Sequence, residues 1–124
     1  MSQDNTADWV TDEYEGQLAI DAFQTPDEII IKAPIAGVSE DDLEVAVTDE
    51  MVTIKGERRN ELGISRDEYF IQECYWGTFA RNYIFPVAVD SNRAEASLKD
   101  GVLLIRVPKL ERSRARSLKI NSAS

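Results

Sequence analysis

The dipeptide Asp100-Gly101 stands between two strand-forming runs and constrains the chain more than any other pair of residues. A type I′ turn needs positive φ at both central positions, and Asp-Gly meets that need. Ahead of the turn, Ala94, Ala96 and Leu98 alternate with polar residues. Behind it, Val102 to Val107 is rich in β-branched residues, and Pro108 stops the run because it has no N–H to give a ladder. The turn sets the register. A slip of one residue would turn Ala96 and Leu98 to the wrong face, so Gly101 is expected to matter for folding.

Similar patterns of alternation and turns recur along the chain. Leu18, Ile20 and Ala22 alternate with Ala19, Asp21 and Phe23, then Thr25-Pro26-Asp27 turns the chain. Glu28 to Ile35 reads as a strand with Ile29, Ile31 and Ala33 on one face, and the density of Ile29-Ile30-Ile31 predicts near-complete burial. Gly37 to Asp42 is a loop in which Ser39 resembles a cap for a short helical turn. Leu43, Val45 and Val47 form a strand, Asp49-Glu50 a turn, and Met51 to Lys55 the next strand. Gly56 to Gly63 is charged and loop-like. Ile64 to Ile71 carries Tyr69, Phe70 and Ile71 as a weak strand on a long excursion, and long excursions in compact domains tend to be functional or intermolecular. Gly77 to Phe85 closes the set before the hairpin. No helix of ordinary length is signalled, and about eight short strands between turns point to an antiparallel β-sandwich.

At 124 residues a single domain is expected. The chain has no histidine, which removes the commonest general base and metal ligand. The lone cysteine, Cys74, sits beside Glu73 and Tyr75, which do not activate a thiol. No phosphate-binding loop or dinucleotide fingerprint occurs. Glu40-Asp41-Asp42 has no oxygen-cage spacing and reads as a solvated turn. These features argue against an enzyme, a metal site or a cofactor. A net charge of −9 argues against a nucleic-acid partner. No run approaches the roughly 20 apolar residues of a membrane span. One cysteine and no visible secretory signal predict a cytoplasmic setting.

The ends differ in sign. The arm, residues 1–16, carries five acids and no base; its apolar residues are Trp9, Val10 and Tyr14. Plain disorder and a role as anchors for a partner or client both fit these three. The tail, residues 109–124, carries Lys109, Arg112, Arg114, Arg116 and Lys119 against Glu111, then Leu118-Lys119-Ile120. Two aliphatics two apart match an extended strand offering both to one side. On the strand at 77–85, Arg81 shares a face with Phe79, Tyr83 and Phe85. A charge among three rings fits either an edge position, where the stem packs and the guanidinium reaches water, or a guanidinium held against a carboxylate, across an interface if need be.

In this order and spacing the pieces resemble the alpha-crystallin domain of the small heat-shock proteins. The resemblance rests on several segments. The first is Ala96-Ser97-Leu98-Lys99-Asp100-Gly101-Val102-Leu103 running to Val107-Pro108-Lys109. The others are Pro34-Ile35-Ala36-Gly37-Val38 with Asp42-Leu43-Glu44-Val45, Val52 to Arg58, Gly77 to Pro86, and Leu118-Lys119-Ile120. It covers residues 17–108 and the tail. It implies an immunoglobulin-like sandwich working as an ATP-independent holdase for partly unfolded clients. It also implies a dimer in which the excursion, about Asn60 to Glu73, adds a strand to a neighbour. Tyr69, Phe70, Glu73 and Arg81 would then lie at the dimer interface, with Asp67, Glu68 or Glu73 as the arginine's partner. Leu118 and Ile120 would dock on another dimer in a groove lined by Leu43, Val45, Val47, Ala96 and Leu98. Trp9, Val10 and Tyr14 would belong to a client-binding arm. That arm is shorter and less aromatic than the family's usual one, which argues against large cage-like assemblies. The competing expectation is an adaptor sandwich that binds a folded partner and does not self-assemble.

Overall fold

The computed structural model describes residues 16–122. Eight strands follow in chain order: β1 (Gly16–Gln17), β2 (Asp21–Gln24), β3 (Glu28–Pro34), β4 (Leu43–Val47), β5 (Met51–Arg58), β6 (Gly77–Ile84), β7 (Glu95–Lys99) and β8 (Val102–Pro108). They form two four-stranded sheets, ordered β1-β6-β5-β4 and β2-β3-β8-β7. Every pairing is antiparallel except β1 with β6. The all-β sandwich expected from the alternation is the fold observed.

The core lies between the sheets and is built by residues two apart. Ile29, Ile31 and Ala33 of β3 meet Leu103, Ile105 and Val107 of β8, and both rows face Val52 and Ile54 of β5 and Phe79 of β6. Ile31, Ile105, Val52 and Val107 are fully buried. Each such side chain contributes about 1.5–3 kcal/mol of burial free energy. At the hairpin, Asp100 and Gly101 have φ of 52° and 77°, the two positive values a type I′ turn requires. The Gly101 carbonyl accepts from the Ile35 N–H at 2.7 Å. A Cβ at Gly101 would stand 3.4 Å from Ala36 Cα, so the turn is also seated on the chain leaving β3.

Four segments depart from the sequence reading. Leu18 to Phe23 is not one strand: β1 belongs to one sheet, β2 to the other, and Leu18–Ile20 crosses between them. Gly56, Glu57 and Arg58 are strand, not loop. Gly56 pairs with Phe79, whose ring lies where a Gly56 Cβ would be, 2.6 Å from Phe79 Cζ. Over Ile64 to Ile71 there is no strand but a single 3-10 turn, Arg66–Glu68, and the stretch pairs with no strand of its own chain. Finally, Lys109 does not begin a solvated tail. It is 5% exposed, bridges to Val89, and its Nζ donates to Gln24 Oε1 at 2.7 Å. Packing continues through a 3-10 turn at Glu111–Ser113 to Arg114, 3.8 Å from the Asp27 carboxylate.

Candidate functional site

The crossing at Leu18–Ile20 is only three residues long, so the β1 and β2 edges of the two sheets lie side by side. The opposite edges, β4 and β7, therefore flank the other mouth of the sandwich. Along β4, Leu43, Val45 and Val47 are half-buried and rest on the core. On β7, Leu98 is half-buried, Ala94 just before the strand is too, and Ala96 is exposed. The five residues expected to line a groove thus lie on two strands that end their sheets among the described residues, four of them half-buried against the common core and Ala96 exposed. Unpaired edges with aliphatic faces invite another strand.

Polar contacts flank both ends of β4. In the turn after β4, Asp49 accepts from the Ser91 hydroxyl at 2.7 Å and the Ser91 N–H at 3.3 Å, which ties β4 to the approach of β7. These bonds keep the Asp49 carboxyl below its ordinary pKa. Ahead of β4, Ser39 caps the 3-10 turn Glu40–Asp42 by accepting from the Asp41 N–H. Asp42 meets Arg59 through two bonds of 2.9 Å, and this fork lowers the Asp42 pKa. Bidentate geometry of this kind is the strong form of a carboxylate–guanidinium contact.

The residues expected at a dimer interface are not gathered within one chain. Phe70 is fully exposed, as is much of Leu62, Ile71 and Glu73 around it. Tyr69 is half-buried, and its hydroxyl accepts from Asn60 Nδ2 at 3.0 Å, joining the two legs of the excursion. Within one chain Arg81 meets a carbonyl. It is half-buried on the inner face of β6, opposite Ile54, and donates from Nη1 to the Leu18 carbonyl at 2.8 Å. Among the described residues it has no carboxylate partner. The physical reason is the crossing: Leu18 leaves one sheet for the other, its carbonyl has no ladder partner there, and a guanidinium on the strand below reaches it.

Two features escaped the sequence reading. Arg58 donates from Nε to the Ala36 carbonyl at 2.9 Å and lies over the Phe79 ring, 5.7 Å from its centroid. A glycine opposite an aromatic on a neighbouring strand was the available signal. Tyr75 hydrogen-bonds through its hydroxyl with both the Gly16 N–H and the Thr78 carbonyl, tying the end of the excursion to β1. The tail motif has left the sandwich: Leu118 is 73% and Ile120 92% exposed. Trp9, Val10 and Tyr14 lie outside the described residues. Among those residues, no helix is long and apolar enough to cross a membrane.

Residues 21–121 match the Hsp20/alpha crystallin family. The chain belongs to that family. Small heat shock protein C4 of Rickettsia felis is 30% identical over 101 residues, covering 82% of this chain and 62% of its own length. Spore protein SP21 of Stigmatella aurantiaca is 30% identical over 105 residues, covering 85% and 62%. The chain therefore spans about three-fifths of the length of these small heat-shock relatives. Among solved structures, heat shock protein 16.0 of Schizosaccharomyces pombe superposes with a TM-score of 0.72 at 26% identity, over 87% of this chain and all of that one. A small heat-shock protein of Xylella fastidiosa, described as having a distinct high order structure, gives 0.69 at 27% identity, over 85% and 96%. The alpha-crystallin sandwich is thus shared in sequence and in fold.

Proposed function

We propose that this small heat-shock protein is an ATP-independent holdase, which binds partly unfolded proteins through apolar surface and keeps them from aggregating. One observation carries the reading: a single chain leaves apolar side chains uncovered in three places. They are the excursion with Leu62, Ile64, Phe70 and Ile71, the mouth between β4 and β7, and the tail with Leu118 and Ile120. Large apolar surface on a soluble chain marks an interaction site.

The three places complement one another. The excursion is a strand without an edge, and β2, whose four residues are all exposed, is an edge with room for a strand. Addition of the excursion of one copy to β2 of another builds a dimer with Tyr69, Phe70 and Glu73 at its seam. Arg81 supports that seam from behind, since it holds Leu18 and so the start of the acceptor edge. Leu118 and Ile120 of another dimer fit the mouth lined by Leu43, Val45, Val47, Ala96 and Leu98. With the tail in place the mouth is covered; with the tail released its aliphatics are free for a client. The arm with Trp9, Val10 and Tyr14 adds further client contacts. A single cysteine suits a reducing, cytoplasmic compartment.

Light scattering of a heated model client tests the reading. Equimolar chain without nucleotide is expected to hold the scattering down. Unchanged scattering at that ratio rejects the holdase and favours an adaptor for folded partners.

A further inference from the structure

The tail carries charges in a fixed relation to its aliphatic pair. In an extended tail, Arg116, Leu118 and Ile120 project to one side and Lys119 to the other. Beside it on β4, Leu43, Val45 and Val47 face the mouth while Glu44 and Ala46 face outward. Four registers place two tail aliphatics on two of these three. Parallel to β4 and one step along, Arg116 falls on Leu43 and Lys119 on Ala46. Antiparallel, either Arg116 falls on Val47 with Lys119 on Glu44, which sets a guanidinium on an aliphatic, or it falls on Asp49 with Lys119 on Ala46. Asp49 is already engaged by Ser91, and Arg112 lines the same cleft. In the remaining register, parallel with Leu118 level with Leu43 and Ile120 with Val45, Lys119 stands level with Glu44 and Arg116 comes to the 3-10 turn just ahead of β4, where Asp41 is exposed. Neither acid has an ion-pair partner among the described residues, although Lys55 lies opposite Glu44 on β5, and both acids line one open cleft with Leu43, Lys55 and Glu57.

Resting on the tail-docking reading above, we infer that the tail of a second copy lies on β4 in this one direction, with Arg116 over Asp41 and Lys119 over Glu44. The apolar pair supplies contact and the two charge pairs supply direction, so tail release responds to ionic strength. Raising salt then favours the uncovered mouth without any change in the sandwich.

Sedimentation of the equilibrium between dimers and larger assemblies tests this by charge exchange. Arg116→Glu and Asp41→Lys, the pair that only this direction brings together, are each expected to weaken assembly by roughly three- to tenfold, the scale of an exposed ion pair turned into repulsion. The double exchange is expected to restore assembly to within about twofold of the parent. Singles without effect, or a double exchange as weak as the combined singles, overturn the direction. Leu118→Ala with Ile120→Ala separates the two claims. Loss of assembly in that variant, beside a failed exchange, rejects the direction and leaves docking standing; an unchanged mass rejects docking itself.

Discussion

Replacing Arg81 by Met removes a donor from the one place where the chain changes sheets. The Leu18 carbonyl would lose its 2.8 Å partner, while the methionine keeps the apolar stem between Phe79 and Tyr83. A hydrogen bond to a charged group contributes about 1.5–3 kcal/mol. Arg81 is half-buried, so water can replace part of it, and the expected loss is about 1–2 kcal/mol. For a domain of this size that lowers the melting midpoint by roughly 5–10 °C. Urea melts of parent and variant at matched protein concentration give the loss directly. Glu73→Gln, Glu68→Gln and Asp67→Asn serve as controls. All three acids are exposed and none touches Arg81 in the chain, so each is expected to stay within about 0.5 kcal/mol of the parent. A loss near 3–5 kcal/mol in Arg81→Met, matched by one of those acids, would mean a desolvated ion pair across the dimer and refute the carbonyl contact. A loss near zero would refute it as well, since the crossing would then hold without the guanidinium.

Gly56→Ala is expected to destabilise by about 1–3 kcal/mol in urea melts, because the new Cβ meets the Phe79 ring at 2.6 Å and the Asp42 carbonyl at 3.0 Å. Leu118→Ala with Ile120→Ala is expected to lower the mass in solution toward the dimer while leaving the melting midpoint unchanged, since both residues stand clear of the sandwich. The Asp42 carboxyl is held below its ordinary value by Arg59. Its contribution is therefore complete above the unfolded pKa of about 3.9 and is lost as pH falls through the folded value. Asp42→Asn is expected to flatten stability against pH in that acid window and to leave the slope near neutrality untouched, as followed by urea midpoints at successive pH values.

What was legible in the sequence was what local physics decides. Asp100-Gly101 dictated its turn alone, and the period of two placed Ile29, Ile31, Val52, Ile54 and Ile105 on the buried faces. It also put Leu43, Val45, Val47 and Leu98 on the half-buried faces of edge strands, with Ala96 left exposed. The misreadings share a dependence on distant partners. Gly56 to Arg58 looks like a charged loop until Phe79 lies across the glycine. Leu18 to Phe23 alternates without a break, yet the chain changes sheets inside it, and nothing in period two marks such a crossing. Ile64 to Ile71 has a strand's composition but pairs with no strand of its own chain. Arg81 was put on the correct face, while its partner, a carbonyl freed by the crossing, has no sequence signal. Lys109 reads as solvated because a lysine after the last strand usually is; its burial depends on Gln24 waiting across the sheet.

The central claim is that the surfaces a single chain leaves open are covered by other copies of itself. The mass in solution at micromolar concentration tests it most directly. The account predicts a dimer or an even multiple of it, with the larger species falling away when Leu118 and Ile120 are replaced. A monomer at that concentration would contradict it.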